Sequence, residues 1–207
     1  PALALGAGFA GLAVRAEREG WALGPVWLRR CAGLLLIGLA HALLVWSGDI
    51  LVTYALCGLL LLAFREVIGG VLAWIGVALF LVPAGLMLGV AAMGVSLAHD
   101  PAWQQALHEQ AVHAQAQAQT QIGAYAHGDY LAATHQRLED FVSNLQVLPL
   151  YGSQVFGLFL IGGWLGGVLA EPARHTRALQ AMRWIALPLG LGAMGLAVWL
   201  APWVSLI

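Results

Sequence analysis

The chain has 207 residues, of which 61% are hydrophobic and only 9% are charged. About a quarter of the residues in soluble globular domains are charged, so this composition excludes a soluble globular domain and indicates a membrane protein. Nine arginines and no lysine stand against ten acidic residues, which leaves a net charge of -1. Nucleic acid is excluded as a main partner, because its binding requires an excess of basic residues.

Six apolar segments predict an all-α fold, a polytopic transmembrane helical bundle with about six membrane passes in a lipid bilayer. The segments are residues 1–14, 31–46, 50–64, 71–98, 147–170 and 185–207. At about 1.5 Å per residue the first covers roughly 21 Å, less than a ~30 Å hydrocarbon core. We interpret it as a truncated helix and the chain as a fragment of a longer membrane domain. Residues 1–98 then hold helices 1–4, residues 99–146 a polar insert, and residues 147–207 helices 5 and 6.

The arginines alternate between the connections that join these segments. They are Arg15, Arg18, Arg29 and Arg30 in the first connection, Arg65 in the third, and Arg174, Arg177 and Arg183 in the fifth. The second connection has none, and the long fourth one has only Arg137. By the positive-inside rule the odd connections are cytoplasmic, which predicts that residues 99–146 are extracytoplasmic.

The polar insert has the signals of two helices. Asp100 followed by Pro101 is an N-cap and N1 pair, and helix-forming Ala and Gln residues continue to about Ile122. A second helix can begin at Asp129 and lie along the membrane surface or pack on the bundle. Its apolar stripe consists of Leu131, Leu138, Phe141, Val142 and Leu145.

We expect no metal site and no disulfide. The insert contains five histidines, but His108 and His113 are five residues apart, not the three or four that place two ligands on one helix face. The other three are His99, His127 and His135. Cys31 and Cys57 both lie in apolar runs, which is typical of small buried hydrophobic residues.

The hairpin between Arg30 and Arg65 holds the polar residues most suited to chemistry. Its Ser47-Gly48-Asp49 turn lies near the outer edge of the bilayer core, where an unpaired carboxylate is costly and should face a pocket. Asp49 also directly precedes an apolar helix, the usual position of an N-cap. The capping role and the ligand-facing role are compatible.

His41 and Tyr54 are predicted to touch near the middle of the bilayer. Each is eleven residues from a cytoplasmic arginine, so each lies roughly 16 Å deep on antiparallel helices. A histidine at this depth is a candidate for proton transfer. The alternative is a neutral histidine that holds two helices together through one hydrogen bond.

Two groups of residues resemble the YeiB-like family of bacterial inner-membrane proteins. The first group runs through the first helix and the hairpin: Leu5-Gly6-Ala7-Gly8-Phe9-Ala10, Arg29-Arg30, Gly38-Leu39-x-His41-x-Leu43-Leu44-x-Trp46 and Gly48-Asp49-Ile50-Leu51-x-x-Tyr54-Ala55-Leu56-x-Gly58. The second is Tyr125-x-x-Gly128-x-Tyr130 with Arg137, followed by a helix that contains Gly157, Gly162, Gly163, Gly166 and Gly167. The resemblance covers nearly all of the chain but only the middle of a family member, and it implies the bacterial inner membrane.

The family is distantly similar to transmembrane acyltransferases, which implies transfer of an acyl group from cytosolic acyl-CoA to an extracytoplasmic acceptor. The candidate catalytic residues are His41, Asp49 and Tyr54, and the candidate substrate-binding residues are Trp46, Arg29, Arg30, Tyr151 and Gln154. The alternative is proton-coupled transport of a small polar solute through His41 and Asp49. The GxxxG pairs at 162–166 and 163–167 favour close helix packing within one bundle, and the oligomeric state stays open.

Overall fold

The computed structural model describes residues 1–67 and 69–170 and isolated positions between 180 and 198. The sixth apolar segment predicted at residues 185–207 extends beyond these residues, and Arg174, Arg177 and Arg183 lie outside them.

Every regular element in the described part of the chain is helical, which confirms the all-α prediction. In chain order the helices are α1 (Ala2–Glu19), α2 (Leu23–Leu44), α3 (Leu51–Leu61) with a 3-10 turn at Leu62–Phe64, α4 (Gly69–Ser96), α5 (Pro101–Ile122) with a π-helical turn at Gly123–His127, and α6 (Tyr130–Ala170).

Three of the described helices are long and apolar enough to cross a membrane. They are Leu23–Leu44, Gly70–Ser96 and Tyr130–Ala170, and a shorter apolar helix covers Leu51–Phe64. Helices of this length and composition are typical of an integral membrane protein. The coarse prediction, a helical membrane protein, is therefore confirmed.

Helix α2 begins at Leu23, eight residues before the predicted apolar segment. Its first turns contain Pro25, which is tolerated near a helix start because its missing N–H needs no partner there. Trp27 then fixes this end on α3, since its buried indole donates a 2.7 Å hydrogen bond to the carbonyl of Gly58. Arg29 and Arg30 consequently lie within a helix, and not in a connection as predicted.

Helix α6 is a single helix that passes through the predicted boundary between the insert and the fifth apolar segment. It has 41 residues and includes Pro149 in its interior, so it extends about 61 Å at 1.5 Å per residue. The start signal at Asp129 is correct, because its carboxylate accepts a 2.7 Å hydrogen bond from the Ala132 N–H. The change at residue 147 is a change of composition along one helix and not a helix end.

The apolar stripe predicted near the start of α6 is largely exposed. Leu131 is 77% exposed and Val142 is 51% exposed, whereas Gln136 on another face is buried. The face of α6 turned toward α5 and the hairpin is polar at this level. Hydrophobic periodicity identified the helix correctly, and of the two placements predicted for its stripe, along the membrane surface or packed on the bundle, the exposure of Leu131 and Val142 argues against packing on the bundle.

Glycines let α6 pack against two helices at backbone distance. Gly162 and Gly166 face α1, and Gly162 contacts the Leu3 carbonyl so closely that a side chain has no room. On another face, a Cβ at Gly157 would lie 2.5 Å from the Gly76 carbonyl oxygen of α4. Small residues at this spacing permit close approach of membrane helices, and the structure uses them within one chain, as predicted.

Replacing Gly162 with Val is expected to destabilise the bundle by about 1 to 3 kcal/mol, because the new side chain would overlap the α1 backbone. Unfolding of the purified protein in mixed detergent micelles measures the effect. Gly167→Val is the matched control on the same helix, because nothing lies within 4 Å of a Cβ at that position. Equal stability of the two variants would contradict the observed packing of α1 on α6.

Candidate functional site

His41 and Asp49 form a hydrogen-bonded pair at the end of α2. His41 Nδ1 lies 2.9 Å from Asp49 Oδ1. The Asp49 side chain is 3% exposed, and that of His41 is 38% exposed. A carboxylate can only accept, so Nδ1 carries the proton of this hydrogen bond, and in the neutral form of the ring Nε2 is an acceptor. This is the arrangement in which a histidine acts as a general base.

The second oxygen of Asp49 caps α3, as predicted, although the helix begins one residue later than predicted, at Leu51 with Ile50 as its N-cap residue. Oδ2 accepts hydrogen bonds from the Leu51 N–H at 2.8 Å and from the Val52 N–H at 3.1 Å. These N–H groups belong to the first turn of a helix and have no partner within it. Asp49 is thus held in place by α3 while it orients the ring of His41.

Gly38 explains the spacing of the hairpin motif. A Cβ at Gly38 would lie 2.8 Å from the Val52 nitrogen and 3.0 Å from Asp49 Oδ2. Only glycine therefore lets α2 approach the capped end of α3. His41 is one helical turn further along α2, close enough to reach Asp49. The Gly38, His41 and Asp49 positions of the motif form one structural unit.

The predicted contact between His41 and Tyr54 is wrong. His41 lies in the last turn of α2, where its carbonyl accepts from the Val45 N–H, because α2 ends at Leu44. It therefore lies near a helix end and not in the middle of the helix. Tyr54 is buried and packs edge-on against Phe159 of α6, with 5.4 Å between the ring centroids.

Two adjoining cavities surround the turn that carries Asp49. The larger, of about 690 Å³, is lined by Trp46 and by polar side chains of α5 and α6. The smaller, of about 350 Å³, is lined by Asp49 and Tyr151. Both share Ser47, Gly48 and Asn144. Tyr151 also lines a third cavity, of about 180 Å³, with Gln154 and Pro83. The candidates Trp46, Asp49, Tyr151 and Gln154 therefore lie around one group of neighbouring cavities.

Arg29 and Arg30 do not join this group. Eleven residues of α2 separate Arg30 from His41, a rise of about 16 Å. Arg30 lines a separate cavity of about 300 Å³ with Trp27, Cys31 and Tyr54. Arg29 is exposed. The structure thus divides the predicted site into a part near Asp49 and a part near Arg30.

A polar network around Asp140 was not predicted. Asp140 Oδ1 accepts from Gln121 at 3.0 Å and from Gln136 at 2.9 Å, and Oδ2 accepts from the Tyr125 hydroxyl at 2.6 Å. Burial raises the pKa of the Tyr125 phenol, and the hydrogen bond to Asp140 adds to the shift, so the phenol remains a donor at neutral pH. The four-residue spacing of Gln136 and Asp140 on one helix face was the available sequence signal.

Arg137 lies beside this network, over two tyrosine rings. Its guanidinium carbon is 5.8 Å from the Tyr125 centroid and 5.4 Å from the Tyr130 centroid, distances typical of cation–π contacts. The Tyr130 hydroxyl donates to the Leu44 carbonyl at 3.1 Å. The Tyr125-x-x-Gly128-x-Tyr130 motif and Arg137 thus form one cluster at the end of α2.

The insert also contacts the hairpin turn directly. The Asn144 side-chain amide donates to the Ser47 carbonyl at 3.3 Å. Together with the bond from Tyr130 to Leu44, this contact joins α6 to both sides of the segment that carries Trp46. The insert therefore forms one wall of the larger cavity.

Among the described residues, no group of three or more His, Cys, Asp or Glu side chains could hold a metal ion. His135 instead pairs with Glu139, four residues along α6, at 3.5 Å. Cys31 and Cys57 are buried free thiols, which confirms their prediction as small buried residues.

The chain is similar to a protein of Bacillus subtilis (strain 168) described as "Uncharacterized protein YxaH". The two are 33% identical over 193 residues, which cover 86% of this chain and 45% of the relative. The chain therefore spans less than half the length of this relative. No protein-family model matches the chain, and no solved structure matches it. Function is consequently inferred from the geometry of the site.

Proposed function

We propose that the chain is part of a YeiB-like protein of the bacterial inner membrane that transfers an acyl group from cytosolic acyl-CoA to an extracytoplasmic acceptor. The observation that supports the proposal best is the pair of His41 and Asp49. One oxygen of the buried Asp49 carboxylate accepts a hydrogen bond from the first turn of α3. The other lies 2.9 Å from Nδ1 of the partly exposed His41 ring. Histidines oriented in this way by a carboxylate serve as general bases in acyl transfer.

In the proposed reaction, Nε2 of His41 takes the proton from a hydroxyl or amine of the acceptor as that group attacks the thioester carbonyl. The bond from the carbonyl carbon to the acceptor forms, and the bond to sulfur breaks. The imidazolium then returns the proton to the leaving coenzyme A thiolate. Asp49 keeps the ring in the reactive tautomer and stabilises the imidazolium by its charge. Trp46, Tyr151 and Gln154 would bind the acceptor in the group of cavities around the turn that carries Asp49.

The donor would approach from the cytoplasmic end of α2. Arg29 and Arg30 would attract the phosphates of coenzyme A, because guanidinium groups bind phosphate oxygens in a bidentate manner. The cavity beside Arg30 and Tyr54 would admit the acyl-bearing arm of the donor. Tyr54 is therefore assigned to positioning the donor. The direct test is the release of free coenzyme A from acyl-CoA by membranes that contain the protein.

We further propose six membrane passes. The three long apolar helices form three of them, and the other three are proposed at α1, α3 and residues 185–207. Residues 99–146 then lie outside. The alternation of arginines supports this topology. The character of α5 supports an aqueous location for this helix, because nearly all of its residues are exposed and polar or small.

A cysteine introduced at residue 117, in Gln117→Cys, is expected to react with a membrane-impermeant maleimide in intact cells whose outer barrier is permeable, whereas the native Cys31 and Cys57 are buried. Residue 117 lies in the exposed part of the insert. The matched control is Glu66→Cys at the exposed end of the hairpin, which should react only after the inner membrane is permeabilised. The reverse pattern would show that the topology is inverted.

The alternative function is proton-coupled transport of a small polar solute. The observation that favours it is the presence of Pro83 inside α4 and Pro149 inside α6, since helix-interior prolines permit the bending that alternating access requires. Pro83 lines the cavity that contains Tyr151 and Gln154. Solute uptake that depends on a proton gradient and not on acyl-CoA would favour transport over acyl transfer.

A further inference from the structure

Arg137 lies in the larger cavity and is held in place by its neighbours. In the described part of the chain, no carboxylate forms an ion pair with it. Arg137 gives one hydrogen bond, from Nη1 to the Thr134 hydroxyl at 3.3 Å. The rings of Tyr125 and Tyr130 flank its guanidinium, and hydrogen bonds to Asp140 and Leu44 fix those rings in turn. A guanidinium has five N–H donors, so most of them remain for a bound solute.

The carboxylates nearest in sequence are engaged with other groups. Both oxygens of Asp140 accept hydrogen bonds from neutral donors, the amides of Gln121 and Gln136 and the phenol of Tyr125. Glu139 pairs with His135, and both side chains are exposed. Neither carboxylate therefore occupies the donors of Arg137, although Glu139, Asp140 and Arg137 line the same cavity.

We propose that this cavity binds a small polar solute through an oxyanion, a carboxylate or a phosphate, held by Arg137 in bidentate geometry. A volume of about 690 Å³ is within the usual range for small-molecule sites. Thr120, Ser143 and Asn144 also line the cavity and supply hydrogen bonds for hydroxyl or amine groups of the same solute. The proposed oxyanion site itself does not depend on the proposed function. Only the identification of its solute as the acyl acceptor rests on that function.

The test measures binding and needs no turnover. Purified protein in detergent is titrated with two matched pairs of probes, glycerol 3-phosphate against glycerol and glucuronate against glucose, and its melting temperature is recorded. We expect one member of the oxyanion class to raise the melting temperature, and the uncharged probe of that pair to have no effect. Response to glycerol 3-phosphate identifies phosphate as the group recognised, and response to glucuronate identifies carboxylate.

Arg137→Gln should weaken binding of the active probe about tenfold to a hundredfold, the effect of losing a charged hydrogen bond. Arg137→Lys should weaken it as well, because an ammonium group cannot form the bidentate contact. Arg15→Gln is the control, since Arg15 is exposed and pairs with Glu19 outside the cavity. The proposal is overturned if neither oxyanion binds at millimolar concentration, if the uncharged probes bind equally well, or if a folded Arg137→Lys or Arg137→Gln variant binds like wild type. Binding without acyl transfer would leave this site standing and reject only the proposed reaction.

Discussion

Replacing His41 with Ala is expected to reduce the rate of acyl transfer by about 10²- to 10⁴-fold, the usual contribution of a general base. Stability should change far less. One hydrogen bond to Asp49 is lost, which leaves one oxygen of a buried carboxylate without a partner, and Asp49 keeps its two bonds to the α3 backbone, so the expected cost is about 1 to 3 kcal/mol. Coenzyme A release measures the first quantity, and melting of the purified protein measures the second.

His41→Gln separates catalysis from helix packing. Its amide can donate to Asp49 as the ring does but cannot act as a base near neutral pH. We expect a melting temperature close to that of wild type together with the same loss of rate as in His41→Ala. His108→Ala in the exposed insert helix is the matched control and should leave both quantities unchanged. Substantial activity in His41→Gln would assign His41 to a structural role.

Asp49→Asn is expected to lower the rate by a similar factor, about 10²- to 10⁴-fold, with little effect on stability. The side-chain carbonyl of Asn can still cap α3, since Asn caps about as well as Asp. The carboxylate charge and the fixed acceptor for Nδ1–H are lost, so the ring is free to adopt the other tautomer, in which Nε2 carries the proton. Kinetics and melting of the same preparation measure both effects.

Two further variants test whether the capping role of Asp49 is separate from its role in orienting His41. Asp49→Ala removes the cap as well and should cost an additional 0.5 to 2 kcal/mol, roughly the value of an N-cap. Asp100→Asn is the control at another helix start, because Asp100 caps α5 through the Ala102 N–H at 2.8 Å and lies away from the cavities around Asp49. Wild-type activity in Asp49→Asn would show that Asp49 only caps α3.

The three helix starts marked by an aspartate were the part of the fold that the sequence predicted best. Asp49, Asp100 and Asp129 each accept a hydrogen bond from the first turn of the helix that follows. Their signals are local, because a short polar side chain and a few neighbouring N–H groups suffice. The prediction of α5 from Pro101 to Ile122 matches the observed helix at both ends for the same reason.

Long-range features were harder to predict. The partner of His41 depends on how α2 and α3 are aligned, and a contact between Trp27 and Gly58, 31 residues apart, helps to fix that alignment. Counting equal depths from Arg30 and Arg65 assumes another alignment and therefore selects Tyr54. Similarly, hydrophobic periodicity could not show that the polar face of α6 is turned inward, because the donors that satisfy Asp140 come partly from α5 and the π-helical turn.

The most direct test of acyl transfer uses inverted inner-membrane vesicles, whose cytoplasmic face is outward, and coenzyme A thioesters carrying a radiolabelled acetyl, succinyl or palmitoyl group. Acyl transfer by this protein predicts that vesicles with the wild-type protein release free coenzyme A outside and accumulate acyl label on a compound in the lumen. Vesicles with His41→Gln should do neither, and those with His108→Ala should do both. Release and lumenal label that are equal in wild type and His41→Gln, or absent with all three thioesters, would contradict it.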